Sequence, residues 1–205
     1  DVSLLLSHFE GDADARNYLA RALLRRMIDP ALVAAVNAAM SGVAIDWPAM
    51  DRRLRLATSH AERLTLLRAA LARAPGDPEG ERHMLTVLAA NGQRDEAIAR
   101  GRKLREQGWF TPALAQTLGE LLVDAGQVDD AQRVLSEIVE FDPESIDNRR
   151  LLGDIFLRHG WYDRAYEQYD DLAQLVPDDA AVAIRLARAA AGTGRIDEAL
   201  RILRK

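Results

Sequence analysis

Four histidines, His8, His60, His83 and His159, are the side chains best suited to bind a metal or move a proton near neutral pH. None lies within ligand spacing of another, and no His-x3-His or His-Glu-x-x-His pattern occurs. They read as surface or helix-end residues. Gly192-Thr193-Gly194 has the glycine content of a phosphate loop but lacks a preceding strand and the Gly-Lys-Ser/Thr ending. The paired acids Asp129-Asp130, Asp170-Asp171 and Asp178-Asp179 are of a type that serves acid–base chemistry or calcium binding. They recur, however, at predicted helix starts and turns, where capping is reason enough. No serine stands beside a base in a nucleophile arrangement. Cysteine is absent, which excludes disulfides, thiolate metal sites and a thiol nucleophile. The sequence therefore predicts no catalytic, metal or cofactor-binding residue, no cofactor, and a protein that is not an enzyme.

Charge narrows the partner. The formal net charge is −5. Residues 1–74 hold 10 Arg and 8 acids (+2), and residues 75–205 hold 17 Lys or Arg and 24 acids (−7). Nucleic-acid binding without sequence preference needs basic residues to displace counterions, so no nucleic-acid partner is expected. No apolar run approaches the ~18–20 residues needed to span a bilayer; Ala31–Met40 is shorter and contains Asn37. A soluble chain without direct membrane insertion is expected, in cytoplasm or periplasm. Lys occurs only at 103 and 205, and with abundant Ala this points to a GC-rich bacterial source. The chain opens on Asp1-Val2 without an initiator Met and reads as a fragment or a processed chain.

The elements that carry these residues follow a repeat. Gly92-Gln-Arg-Asp-Glu-Ala97, Gly126-Gln-Val-Asp-Asp-Ala131, Gly160-Trp-Tyr-Asp-Arg-Ala165 and Gly194-Arg-Ile-Asp-Glu-Ala199 recur every 34 residues without gaps. Each Gly can close a helix in the left-handed conformation. Asp95, Asp129, Asp163 and Asp197 then begin the next helix, where a carboxylate accepts free backbone N–H groups and favours the dipole. The small Ala allows close helix approach. Pro75, Pro143 and Pro177 mark exits from second helices, with Trp109 in the intervening slot. Upstream of the glycines, Leu118, Gly119, Leu122 and Leu152, Gly153, Phe156 mark an apolar helix face. Leu135 and Ile138, then Tyr169 and Leu172, form the matching face of the second helix.

This pattern resembles the tetratricopeptide repeat family. The likeness is closest over 112–145 and 146–179, and 180–205 fits as an incomplete repeat through Leu186, Ala187, Ala190, Gly194, Ile196, Ala199 and Leu203. In 78–111, Leu85 replaces the small residue, Arg94 and Gly101 replace large ones, and Trp109 replaces the terminal Pro. In 44–77 a degenerate repeat is read from Trp47, Leu54, Leu67, Ala70 and Pro75, with Thr58 where the turn Gly belongs and Arg63 where the Ala belongs. Residues 1–43 read as an atypical N-terminal helical cap or degenerate repeat, with helices near 13–28 and 30–41, a Ser3–Phe9 segment and a Ser41–Asp46 connector. The resemblance implies an all-α fold, an α-α superhelix (right-handed solenoid) of antiparallel helix pairs with about 10–12 helices.

It also implies a concave groove lined by first helices, in which a peptide or protein partner lies. Groove positions would be Arg82, Thr86 and Ala89; Gln116, Glu120 and Val123; Arg150, Asp154 and Leu157; and Ile184, Arg188 and Ala191. Arg forks onto carboxylates, which allows an acidic ligand or a C-terminal carboxylate. The Lys/Asn pattern of chaperone-tail binders is missing, since Gln116, Glu120, Arg150 and Asp154 occupy its places. Tyr162 and Tyr169 match family core positions; Trp161 and Tyr166 do not, and stand either as a partner-contacting aromatic patch or as packing between repeats. The array stops at Lys205 inside a second helix, so the apolar face of 183–203 is expected to need further chain or a partner. The leading expectation is a scaffold or adaptor segment of a larger bacterial protein that binds its partner in the groove. The alternatives are a self-association or packing element of a multidomain enzyme or assembly, a substrate-presenting segment beside chemistry elsewhere, and RNA binding, which the acidic array opposes.

Overall fold

The computed structural model describes residues 45–204. The expected helices at 13–28 and 30–41, the Ser3–Phe9 segment and the cap over 1–43 lie outside the described residues. Within them the chain is all-α, the class expected: ten helices and no strand. They are α1 (Trp47–Leu56), α2 (His60–Arg73), α3 (Pro78–Ala90), α4 (Arg94–Glu106), α5 (Pro112–Asp124), α6 (Val128–Glu140), α7 (Ile146–Arg158), α8 (Tyr162–Leu175), α9 (Ala180–Gly192) and α10 (Ile196–Leu203). None of the described helices is long and apolar enough to cross a membrane. The chain divides into two compact units, Asp1–Glu137 and Ile138–Lys205.

Two local devices set the helix boundaries. The first helix of each pair starts on a side-chain cap. Asp77 Oδ1 accepts from the N–H groups of Glu79 and Gly80, both at 3.0 Å. Thr111, Ser145 and Asp179 cap α5, α7 and α9 in the same way. The second helices α4, α8 and α10 follow Gln93, Trp161 and Arg195, none of which makes a side-chain cap bond. Asp95, Asp163 and Asp197 lie one position inside the helix instead. Their contribution is electrostatic, negative charge at the positive end of the dipole, and the expectation that they bond the free N–H groups is corrected to that. Between the helices of a pair, Gly92, Gly126, Gly160 and Gly194 take φ values of 79°, 74°, 71° and 83°. The next residue's N–H then reaches back to a carbonyl in the last turn, as Gln93 does to Leu88 at 2.9 Å. An L side chain is rarely accommodated there, which accounts for the strict glycine ladder.

In the first unit, leucine side chains fill hollows left by small residues. A Cβ on Gly119 would stand 2.5 Å from both Cδ2 and Cγ of Leu135. Gly101 offers a similar hollow to Leu118 of α5, 2.9 Å from the Cβ position, while Leu85 takes the small-residue place and is fully buried. Trp109 lays its ring over the backbone of Gly76, which explains an aromatic in the proline slot. Arg100 forks onto the buried Glu81 and ties α4 to α3, and Arg102 bonds Asp130 and Gln127, each at 2.7 Å.

The degenerate stretch 44–77 still forms α1 and α2, by other means. Ser59 accepts from the Glu62 N–H at 3.1 Å and Glu62 accepts from the Thr58 N–H at 2.9 Å, a reciprocal cap in place of a glycine turn. Arg63, in the alanine place, donates Nε to the Leu54 carbonyl at 3.0 Å and Nη2 to the Ala57 carbonyl at 3.3 Å. Its guanidinium thus satisfies carbonyls at the end of α1 that would otherwise lack partners.

In the second unit, Gly153 faces the ring of Tyr169, 2.8 Å from the Cβ position, in the pairing that Gly119 makes with Leu135 one repeat earlier. Gly192 lies still closer under Tyr162, at 2.2 Å. Ala165 and Ala199 of the ladder are buried here, and Ala97 and Ala131 in the first unit. Arg149 joins α7 to α8 through Asp171 at 2.6 Å.

Candidate functional site

Helices α3 and α5 pack side by side in the first unit and leave an open cleft of about 520 Å³ between them. Arg82, Thr86 and Ala89 of α3 meet Gln116 and Glu120 of α5 in it, five of the positions the repeat phase placed on the groove. Val123 is not among the lining residues. Glu79, Ala113, Thr117, Leu121 and Asp124 complete the lining. Their signal was present in the sequence: 113, 116, 117, 120, 121 and 124 form one stripe at helical spacing. Ala89, Ala113 and Leu121 give the lining an apolar share beside its polar side chains.

The cleft's arginine is not an open cation. Arg82 donates Nε to Glu79 Oε2 at 3.0 Å and Nη2 to Glu79 Oε1. His83 reaches the same carboxylate at 3.3 Å and Asp51 at 2.9 Å, and its ring stacks on Trp47 at 5.6 Å. Burial pushes the Glu79 carboxyl up, but the bonds from His83 and Arg82 outweigh it and hold the group at about 2. Arg82 is correspondingly held above its ordinary value, first by the bond to Glu79. His83 is thus no helix-end residue. It sits mid-helix inside a polar network behind the cleft, a role its isolation from other histidines concealed.

Family models described as Tetratricopeptide repeat match residues 117–180 and 156–205. Residues 117–205 are tetratricopeptide repeats. Cellulose synthase operon protein C of Pseudomonas fluorescens (strain SBW25) is 30% identical over 119 residues, covering 54% of this chain and 9% of that protein. The chain therefore spans about a tenth of that relative's length. The crystal structure of MamA shares the fold with a TM-score of 0.55 at 18% identity, over 79% of this chain and 93% of that one. YrrB, a TPR protein with an unusual peptide-binding site, matches with a TM-score of 0.52 at 19% identity, over 83% of each chain.

The tetratricopeptide repeats of the second unit hold the other expected groove residues differently. Arg150 donates to Asp179 at 2.9 Å. Asp154 accepts from the Tyr169 hydroxyl at 2.6 Å and from Arg185 Nε at 2.8 Å. Burial, then this bond, pushes the Tyr169 phenol up. Arg150 and Asp154 are thus engaged within the fold. Leu157 is 3% exposed, so its expected place on an open groove is corrected to the core. Ile184 and Arg188 of α9 are exposed. Tyr166 packs on Ala187, Ala190 and Ala199, donates to Glu198 at 2.8 Å and carries the Arg195 guanidinium 4.2 Å from its ring. Both its ring and its hydroxyl are used inside the repeat array, as the packing alternative of its two readings has it. Trp161, half-buried, lies against Phe156 and His159 at 5.7 and 5.1 Å. Among the described residues no group of three or more His, Asp or Glu is placed to hold a metal ion.

Proposed function

We propose that this chain is a scaffold segment that binds a peptide or protein partner in the cleft between α3 and α5. The observation that carries the reading is the convergence of Arg82, Thr86, Gln116 and Glu120, spaced by the repeat, on one partly apolar cleft of about 520 Å³. A pocket of this size holds a few side chains of an extended segment. The repeat family, and a structural relative whose name states a peptide-binding site, support it. The match to a small part of Cellulose synthase operon protein C supports placing the segment within a larger bacterial protein. We assign its repeats to 78–111, 112–145, 146–179 and 180–205, with 44–77 degenerate and 1–43 atypical. The segment is taken to be non-enzymatic. A photo-cross-linking residue at Gln116 should capture a partner that the same residue at Arg133, on exposed α6 surface, does not. Equal capture at both positions would reject the cleft.

A second reading, self-association, is favoured by α10, where Ile196, Leu200 and Leu203 are 55%, 45% and 58% exposed along one face. Under it, sedimentation mass rises with protein concentration and Leu200→Glu abolishes the rise. A concentration-independent monomer would reject it.

A further inference from the structure

The cleft's hydrogen-bonding inventory is one-sided. The Thr86 hydroxyl donates to the Arg82 carbonyl at 3.0 Å, and the Thr117 hydroxyl donates to the Ala113 carbonyl at 3.0 Å. Each has spent its proton inside its own helix and keeps only lone pairs for a ligand. Arg82 spends its fork on Glu79, and the pair carries no net charge. Asp124 adds a carboxylate at the last position of α5. There the carbonyl end of the helix makes a negative charge locally unfavourable. What remains to donate is the Gln116 amide and the outer nitrogen of Arg82. Acceptors and negative potential therefore dominate a cleft whose arginine had allowed an acidic ligand.

We propose that the cleft selects a cationic, donor-rich peptide segment, with a Lys or Arg directed to the Asp124 end and a small apolar side chain against Ala89, Ala113 and Leu121. This rests on the cleft being the binding surface. The chemistry is that of complementary donors: an ammonium or guanidinium supplies N–H groups to Asp124, and other N–H groups of the segment meet Thr117 and Thr86, whereas a carboxylate ligand would meet lone pairs and like charge. The groups are exposed, so the preference is electrostatic in part and weakens with salt.

The test uses the whole chain and fluorescent nonapeptides of one apolar framework, with Lys, Gln or Glu at the variable positions, read by anisotropy at low and high salt. The Lys set should bind tightest. Asp124→Asn should weaken it about two- to fivefold, the scale of one exposed ion pair. Thr86→Val with Thr117→Val should weaken it further, while circular dichroism stays unchanged. A Glu set that binds as well as the Lys set, or no binding by any set, overturns the proposal. Gln116→Trp separates the two readings. If it blocks binding yet the Glu set is preferred, the cleft stands and the cationic preference falls. If the Lys set binds undiminished in this variant, the cleft itself is rejected, and the cationic preference falls with it.

Discussion

Gly119→Ala is the sharpest perturbation of the packing that builds the cleft, because α5 is one wall and Gly119 sits on its opposite face toward Leu135. On an exposed helix the change would stabilise by about 1 kcal/mol through helix propensity. Here the added carbon falls 2.5 Å from both Cγ and Cδ2 of Leu135, against an ordinary carbon separation of about 3.5–4.0 Å. Cγ is the branch point, so the side chain cannot yield by moving one methyl. It must rotate as a whole, and Leu135 is fully buried with no space to enter. Overpacking of this kind costs roughly 1–3 kcal/mol and exceeds the propensity gain. A net loss on the order of 1 kcal/mol is expected in urea denaturation followed by circular dichroism. In the Leu135→Ala background the same change should turn neutral or stabilising, a coupling on the order of 1–2 kcal/mol. Gly92→Ala is the contrast. With φ at 79° and nothing within 4 Å of its Cβ position, it loses about 1 kcal/mol through backbone strain alone, uncoupled from Leu135. A neutral or stabilising Gly119→Ala, or strict additivity with Leu135→Ala, would refute the knob-and-hollow account.

Two further outcomes follow from the first unit. Arg63→Ala should destabilise α1–α2 by about 1–2 kcal/mol by stripping charged donors from the Leu54 and Ala57 carbonyls, seen as faster hydrogen exchange at the end of α1, and Arg63→Lys should not restore the fork. Glu79 is held low, at about 2 against an ordinary 4.5; its stabilisation is therefore complete above about pH 4.5 and is lost as pH falls toward 2. Melting between those limits should show a loss on the order of 2 kcal/mol that Glu79→Gln flattens; an unchanged acid limb would reject the network.

The second helix pair onward was legible because its requirements are local. A left-handed turn needs Gly, a close approach needs Gly or Ala, and both needs recur in one chain position every 34 residues. The stretch 44–77 was legible only as a mismatch. Its Ser59 and Glu62 spell a reciprocal cap in the sequence, but the use of Arg63 depends on where the end of α1 lies in space, nine residues earlier in the chain. The groove positions on α3 and α5 could be read from phase, and their neighbours Thr117 and Asp124 from the same helical stripe. What phase cannot give is the state of each charge. Arg150 finds Asp179 and Asp154 finds Arg185 across about thirty residues, separations at which the sequence offers many equally good partners.

That difference decides the ligand chemistry. Counted from sequence, the expected groove held three arginines and two acids, which allowed an acidic partner. In the fold, Arg82 is bound to Glu79 and Arg150 to Asp179, and of the three only Arg188 stands exposed without an ion pair among the described residues. Arg82 has one edge of its guanidinium on Glu79 and Arg150 one nitrogen on Asp179, so each is neutralised within the fold and offers a ligand less than a free cation would. Recruiting either would leave a partly buried carboxylate uncompensated, at a cost that an exposed contact does not return. The two threonines point the same way for a different reason, since a hydroxyl bonded to its own helix carbonyl has no proton left to give. Donor accounting therefore agrees with the acid-rich lining of this cleft, where Glu79, Glu120 and Asp124 stand against Arg82, in favouring a cationic over an anionic ligand.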